Sequence, residues 1–572
     1  MAAVGRTGVL GHSRVFWRRF LPYILLVAAV VSRYHSSLHS FWIGDDTQIL
    51  KTAATHGISQ FLFSPKVWRE LTAMNFTPWV TLSFYFDWKI FGASPYGFYL
   101  HHLSSLSLLV VCVYLVLKEW FSPVFSFLGA LLFALTSPFA ESSQFLMERH
   151  YIEGMIFALL SFYFFVKAVR SGNSGLLLLS PFLYLSACSA KEIYVPLIFV
   201  LPLFQAGSFR RRLMQLLPFV AALSLYVLWR WYMLGRLGGG YGLQLSWPQD
   251  AVLLFPRIMN AVVTGFSEQM LKTWRWVAGT SSVAALGIIL ILDRKAFYRV
   301  LLVCPLLLLP IIPVSPAMTG RFVFLLSFFW ISLFIVAWTR LRGYAKGPIA
   351  SAVIVLWALL LFSAFLHSSS EVLEGLRNGV RQQGIEGEFV LSVGSDTDLV
   401  INPKSPGHYY AGLSWLRKDI FRLSAGPSVT ADSAVLCLDK ETAGGFKRVW
   451  YVSPKTNAMV AENFTDFVAA QCADGKLPPL RKDAPLSLKL EYNGKTVAWE
   501  FGPYRDGTYQ LLFEKTAGTI YPLPVSGSHF VYLNDMTIPF RLRYASPDGW
   551  VTYSPLIDFR ITSDGGRAVW RR

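Results

Sequence analysis

Along the first two thirds of the chain, apolar runs close to the ~20 residues that cross a bilayer recur from Leu21 to about Leu366. They predict helical spans near 20–38, 96–117, 122–139, 151–168, 174–190, 193–206, 213–233, 276–292, 299–314, 320–338 and 348–366, the shorter ones completed by interfacial residues. Beyond Leu366 the pattern changes abruptly. EVLEGLRNGVRQQG reads as a helix, and EFVLSV and AVLCLD as short strands. LKLEYNGKTVAWEF is a hairpin pattern, with Asn493-Gly494 suited to a type I′ turn, and TYQLLFEK, HFVYLND and FRLRYAS continue the alternation. The expected architecture is a polytopic α-helical membrane domain of about eleven spans over 1–368. An α/β region over 369–480 and a β-sandwich-like domain over 481–572 follow it.

Composition agrees: 54% of residues are hydrophobic and only 15% charged, where a soluble protein carries roughly a quarter. The net charge of +18 reads as topology rather than nucleic-acid binding, because Lys and Arg favour cytoplasmic turns. Arg6, Arg14, Arg18 and Arg19 place the N-terminus inside, ahead of an uncleaved first span. The turns that should return to the cytoplasm then carry Lys118, Lys167 and Arg170, Arg210-Arg211-Arg212, Arg294-Lys295-Arg299, and Arg340-Arg342-Lys346. This alternation requires 250–275 to lie along the outer face or re-enter rather than cross, and it leaves the C-terminal region outside. The expected location is a bacterial inner membrane, with the active site and C-terminal domain periplasmic. In the first external loop, 39–95, aromatic and polar residues alternate as in helices lying on the membrane, with Trp68, Trp79 and Trp88 at headgroup depth. Cys112, Cys188 and Cys304 fall in apolar runs, whereas Cys437 and Cys472 can pair if their region faces an oxidising compartment.

Ionisable groups gather at the outer ends of the spans. Asp45 and Asp46 follow the first, in FWIGDDTQIL, and His101-His102 open the second. Glu141, Glu148, Arg149 and His150 lie between the third and fourth, Lys191 and Glu192 between the fifth and sixth, and Arg321 opens the tenth. Charges near hydrocarbon depth are costly and are usually paired or functional. Here carboxylates that accept a proton share one side with cations that can hold a phosphate. Each group also has a structural reading. Asp46 before TQIL can cap a helix, Glu141 and Arg149 can form an ion pair, and Lys191-Glu192 can snorkel. The histidines can pack or hydrogen-bond rather than ligate, and Arg321 can mark the interface.

The order of these stretches resembles the GT-C superfamily of membrane glycosyltransferases, and within it the transmembrane O-mannosyltransferases with tetratricopeptide repeats and their bacterial relatives. The matching segments are WIGDD at 42–46, FTPWVTLSFYFDWKIFGASPYGFYLHH at 76–102, SPFAESSQFLMERHYIEGM at 137–155, SAKE at 189–192 and TGRFVFLL at 319–326. They cover the membrane half only. Thr77 stands where the family has Arg, His102 where it has Asn, and Gly320 where it has Glu; the repeats are missing. The resemblance implies transfer, with inversion, of a hexose or pentose from a polyprenyl-phosphate carrier to an extracytoplasmic hydroxyl on protein, glycan or lipid. Asp45 is then the expected general base and Asp46 its orienting partner, the reverse assignment remaining open. Arg149, Lys191 and Arg321 are expected at the donor phosphate, and Glu141, His101, His102, His150 and Glu192 around the sugar and acceptor. A divalent metal near the aspartates stays open, and no organic cofactor or nucleic acid is implied. The competing class is a polyprenyl-linked glycan flippase, which would want charges along a path through the membrane and internal repeats.

Overall fold

The computed structural model describes residues 7–72, 75–204, 207–235, 237, 256–257, 272–312, 320–345, 347–401, 407–424, 426–430, 436–437, 445–473, 478–481, 484–494, 496–513, 521–530, 536–562 and 565–570. A helix lies on every apolar run that the sequence marks. In chain order they are α1 (Thr7–Tyr34), α2 (Asp46–Thr55), α3 (Ile58–Phe63), α4 (Pro65–Leu71), α5 (Pro78–Phe91), α6 (Pro95–Leu117), α7 (Pro123–Ala134) and α8 (Ser137–Ser142). Then come α9 (Arg149–Ser171), α10 (Ser174–Ala190), α11 (Leu197–Val200), α12 (Phe209–Met214), α13 (Leu217–Leu234), α14 (Lys272–Leu292), α15 (Arg294–Leu308), α16 (Phe324–Tyr344) and α17 (Pro348–Glu388). Local chemistry sets their limits. The Asn173 and Asp293 side chains accept the backbone N–H of Leu176 and Ala296 at helix starts. Gly172 and Gly235 close α9 and α13 at φ +76° and +72°, where a side chain would be strained.

Among the described residues, six helical segments are long and apolar enough to cross a membrane: Phe20–His39, Pro95–Leu117, Leu146–Ser171, Phe209–Leu234, Gly320–Tyr344 and Pro348–Val393. Four shorter apolar helices lie at Pro123–Ala134, Ser174–Ala190, Glu192–Leu203 and Trp276–Leu292. The count of eleven is therefore not established. The run at 299–314 shows why: its helix, α15, is 15 residues long, ~22 Å, and opens on Arg294 and Lys295. The segment 250–275 falls outside the described residues except at 256–257 and 272–275.

Several of the basic residues pair with acids at helix ends. Lys167 and Arg170 of α9 both pair with Glu119, beyond α6, at 2.9 and 2.6 Å. Arg340 of α16 pairs with Asp293, between α14 and α15, at 2.6 Å. Close helix crossings bring together the acidic and cationic residues singled out above: a Cβ added at Gly154 of α9 would lie 2.5 Å from the Tyr194 ring and 2.9 Å from Ala190, so α9 can press against the segment that carries Lys191.

The last helix of the bundle, α17, runs unbroken for 41 residues, ~60 Å, about twice the hydrocarbon thickness. Its far end leads into a four-stranded sheet of order β2-β1-β3-β4, comprising β1 (Asp398–Ile401), β2 (Ser428–Thr430), β3 (Arg448–Val452) and β4 (Met459–Asn463). Strand β1 pairs in parallel with both β2 and β3. Helix α18 (Gly407–Trp415) connects β1 to β2, and α19 (Phe464–Gln471) follows β4. Cys437 and Cys472 form a disulfide in this region, while Cys112, Cys188 and Cys304 are unpaired. Among the described residues, the remaining strands, from Ser487 to Trp570, form one hydrogen-bonded antiparallel network of nine. Tyr492, Phe501, Tyr509, Phe540, Leu542 and Ile557 are among the residues of its core.

Candidate functional site

The acidic pair sits in a tight turn. The Ile43 N–H donates to Asp46 Oδ2 at 2.9 Å and the Asp46 N–H returns to the Ile43 carbonyl at 3.1 Å. Between them Gly44 has φ +53°, a conformation that favours glycine. Asp45 is the N-cap of α2, half-buried, where the helix dipole favours a negative charge. Asp46 is fully buried. Burial raises its carboxyl to about 7, with the Asp45 charge adding to the effect; the Ile43 and Met147 amides and Arg149 pull the other way. The two aspartates thus have different surroundings, and only Asp45 has access to the outside.

Arg149, at the head of α9, lies within electrostatic reach of Asp46 and is fully buried. One of its nitrogens donates to Asp87 and to the Ser83 hydroxyl, the latter at 3.2 Å, and lies 2.9 Å from His101 Nδ1. Its guanidinium stacks over Phe84 and Phe98 at 5.0 and 5.9 Å. Glu153, one turn along, accepts from Trp79 Nε1 at 2.6 Å and Ser83 at 3.1 Å. His101 bridges the two acids, with Nδ1 2.7 Å from Asp87 and Nε2 3.3 Å from Glu153, and remains 36% exposed. His102 points elsewhere: its buried Nε2 meets the Ser142 carbonyl at 2.8 Å.

The turn 141–148 carries a second cluster. Arg321 donates to Glu148 at 2.8 Å, and Ser142 holds the other Glu148 oxygen at 2.6 Å. Glu141 accepts the Gly320 N–H at 3.1 Å. Burial raises the Glu141 carboxyl above its ordinary range; Glu148 adds to this and Arg321 opposes it. A Cβ at position 320 would collide with this carboxylate and lie 3.0 Å from Pro138, which leaves no room there for a side chain. Glu141 therefore faces Arg321, and the partner of Arg149 is Asp87. An Arg149–Glu141 pair, suggested by the sequence spacing, does not form because the intervening turn sends the two side chains to different neighbours.

A third group surrounds Lys191, which is 4% exposed, with Nζ 5.4 Å over the Tyr151 ring and 3.9 Å from Glu192. His150 is buried against Tyr151, with charge reaching it from both Lys191 and Arg321. Arg230 of α13 is likewise buried and within charge reach of Glu192, beside the Tyr226 hydroxyl. Among the described residues no cluster of three or more His, Cys, Asp or Glu could hold a metal ion.

Sequence reasoning did not select Asp87, Glu153 or Arg230 for this site, and it gathered Glu148 with the outer charges without giving it a role. Arg230 stands alone in the aromatic run LYVLWRWYML, and Asp87 is the one acid of PWVTLSFYFDWKIF, with Lys89 two residues on; an isolated charge or acid in such a run was the available signal.

No family model matches the chain, and no curated protein matches it. Among solved structures, the chain aligns with the oligosaccharyltransferase of Archaeoglobus fulgidus, crystallised tethered to an acceptor peptide containing the NVT sequon. That alignment has 10% identity and a TM-score of 0.41, and it covers 97% of this chain and 94% of the other.

Proposed function

We propose that this chain is a membrane glycosyltransferase of the GT-C type. In this reading it moves a sugar from a polyprenyl-phosphate carrier to a hydroxyl on the non-cytoplasmic side, with inversion at C1. The observation that carries the reading is the arrangement at one end of the bundle: an outward-facing Asp45 in a rigid turn, with Asp46 in reach of Arg149 and the Arg321 and Lys191 clusters adjoining.

In this scheme the acceptor oxygen attacks C1 and gives its proton to Asp45, a contribution of roughly 10²–10⁴-fold. The C1–O bond to phosphate breaks, and its electron pair leaves with the phosphate, which needs no acid but needs its growing charge stabilised. Lys191, Arg230 and Arg321 supply that charge. Lys191 and Arg230 both lie within charge reach of Glu192, which brings two cations to the place this scheme assigns to the phosphate. Arg149, enclosed by Asp87 and two rings, supports the acidic turn from behind. Glu141, His150 and Glu192 line the sugar and acceptor side, while His101 and His102 hold α6 to Asp87 and to the 142 turn.

The test compares strains with and without the gene by mass spectrometry of extracytoplasmic glycoproteins and glycolipids and of the lipid extract. A glycan mass should vanish and its polyprenyl-phosphate sugar should accumulate. Asp45→Asn, expressed to the wild-type level, should reproduce both effects. Near-native transfer by that variant removes Asp45 as the base. Accumulation on the cytoplasmic leaflet alone favours a flippase.

A further inference from the structure

The turn that carries Asp45 and Asp46 is not held by the membrane helices alone. Tyr409 of α18 donates its hydroxyl to the Trp42 carbonyl at 2.8 Å, and Thr47 donates to the Tyr409 carbonyl at 3.0 Å. Both bonds are buried, and they grip the turn on either side of the aspartates, 362 and 367 residues away in sequence. Helices α18 and α2 come together at a glycine. A Cβ at Gly412 would lie 2.5 Å from Thr47 Oγ1 and 2.9 Å from the Thr47 backbone carbon. The far end of α17 presses on the same turn from another side. A Cβ at Gly384 would lie 3.3 Å from Phe41 Cβ, and one at Gly387 would meet the Phe41 ring at 3.0 Å. Trp42, Ile49, Leu50, Tyr409, Tyr410 and Leu413 share one apolar cluster across this junction.

We infer that the C-terminal extracytoplasmic part is a positioning element of the transferase site: Tyr409 and Gly412 fix the turn from which Asp45 takes the acceptor proton. The inference rests on the transferase reading for its catalytic arm and on the contacts alone for its structural arm. The chemistry supports it directly. A base must hold its carboxylate within hydrogen-bond reach of one hydroxyl, and a displacement of about 1 Å costs on the order of 10²-fold. The Trp42 carbonyl is a buried acceptor, so losing the Tyr409 hydroxyl loosens the backbone three residues before Asp45. A side chain at 412 would collide with Thr47 Oγ1 and Cβ and also come within 2.9 Å of the Thr47 backbone carbon, so turning the Thr47 side chain away does not clear the clash and the chain two residues after Asp45 must shift. Tyr409 and Gly412 touch no reacting atom in this scheme and act only through the turn.

The full-length protein in native membrane vesicles, which carry their own lipid-linked donors, allows both arms to be read. Tyr409→Phe and Gly412→Ala are compared with wild type and with Tyr451→Phe. Tyr451 is a control in the same part of the chain, where its hydroxyl meets exposed Glu462. Hydrogen exchange over 42–50 should speed up at least tenfold in Gly412→Ala and severalfold in Tyr409→Phe, with the nine-stranded sheet unchanged. The transfer rate at matched protein level should fall ten- to a hundredfold and three- to tenfold respectively. The acid limb of the pH profile between pH 5 and 9 should shift in both variants, which a merely structural defect would not cause. Tyr451→Phe should match wild type throughout. Unchanged exchange over 42–50 in both variants overturns the inference, as does faster exchange with a native rate and profile. A wild-type protein without transfer activity refutes the transferase reading instead, and the exchange arm still decides whether the clamp exists.

Discussion

Replacing Asp87 by Asn tests the strongest electrostatic claim made for this fold. Arg149 is fully enclosed, and Asp87 is its only acidic hydrogen-bond partner among the described residues, the others being Ser83, His101 and the Phe98 carbonyl. Removing one member of a buried pair leaves a bare charge and costs about 3–5 kcal/mol; Asn keeps one acceptor, so the lower end, about 3 kcal/mol, applies. That is roughly a 150-fold loss in the folding equilibrium. Spread over a helical part of roughly 370 residues, it corresponds to a fall of about 4 °C in the unfolding midpoint, followed by tryptophan fluorescence in nanodiscs. The double variant Asp87→Asn/Arg149→Met removes both charges and should recover to within about 1 kcal/mol of wild type, because methionine fits beside Phe84 and Phe98 without desolvating an ion. It should also keep its donor KM within about threefold if Arg149 supports the site from behind. A single variant within 1 °C of wild type, or a double variant no better than the single, refutes the reasoning. A recovered fold with lost donor binding would return Arg149 to the phosphate.

Asp46→Asn carries a pH signature. The folded carboxyl titrates near 7 against an ordinary 3.8, so folding takes up a proton between those values and the wild type loses stability as pH rises through them. The midpoint advantage of Asp46→Asn should widen from pH 5 to pH 8; a pH-independent gap removes the buried acid as its cause. Lys191→Ala should raise donor KM tenfold or more, and Arg230→Met should do the same to a lesser extent, with the acid limb of the pH profile unmoved; unchanged KM in both excludes that group from the phosphate. The Cys437–Cys472 bond closes 35 residues, worth about 3–4 kcal/mol by chain entropy. The Cys437→Ser/Cys472→Ser variant should lower the midpoint of the C-terminal part accordingly, read by differential scanning calorimetry against the reduced wild type, and equal midpoints for variant and oxidised wild type would show that the bond adds nothing.

The helices were legible because a bilayer leaves few alternatives: a segment that cannot hydrogen-bond to water must satisfy its backbone internally and be apolar over a set length. Length is also where legibility stopped, since α7, α10 and α15 fall short of the thickness that sequence windows granted them. The acidic turn could be found because it stands at a span end, with glycine and two aromatic residues before it. Asp87, Glu153 and Arg230 were hidden by their settings inside apolar runs; only packing shows that α5, α6 and α9 gather Asp87, His101 and Glu153, and that α13 brings Arg230 to Glu192. His101 and His102 look alike in sequence, yet neighbours on a helix point about 100° apart, so one meets the acids and the other a carbonyl. Nothing local announced that Tyr409 would hold Trp42. Contacts between residues 367 apart have no periodicity to read.

The uninterrupted α17 makes the protein sensitive to its solvent. The first half of this rod is apolar enough to cross a bilayer, and its other end, at Gly384 and Gly387, rests on Phe41 beside the acidic turn. A helix meeting a thinner or thicker bilayer answers by tilting. Over ~60 Å, a tilt of about 5° displaces the far end by roughly 5 Å unless the junction resists. Lipid acyl length thus becomes a mechanical input to the site, and vesicles of graded thickness should show a turnover optimum rather than a plateau.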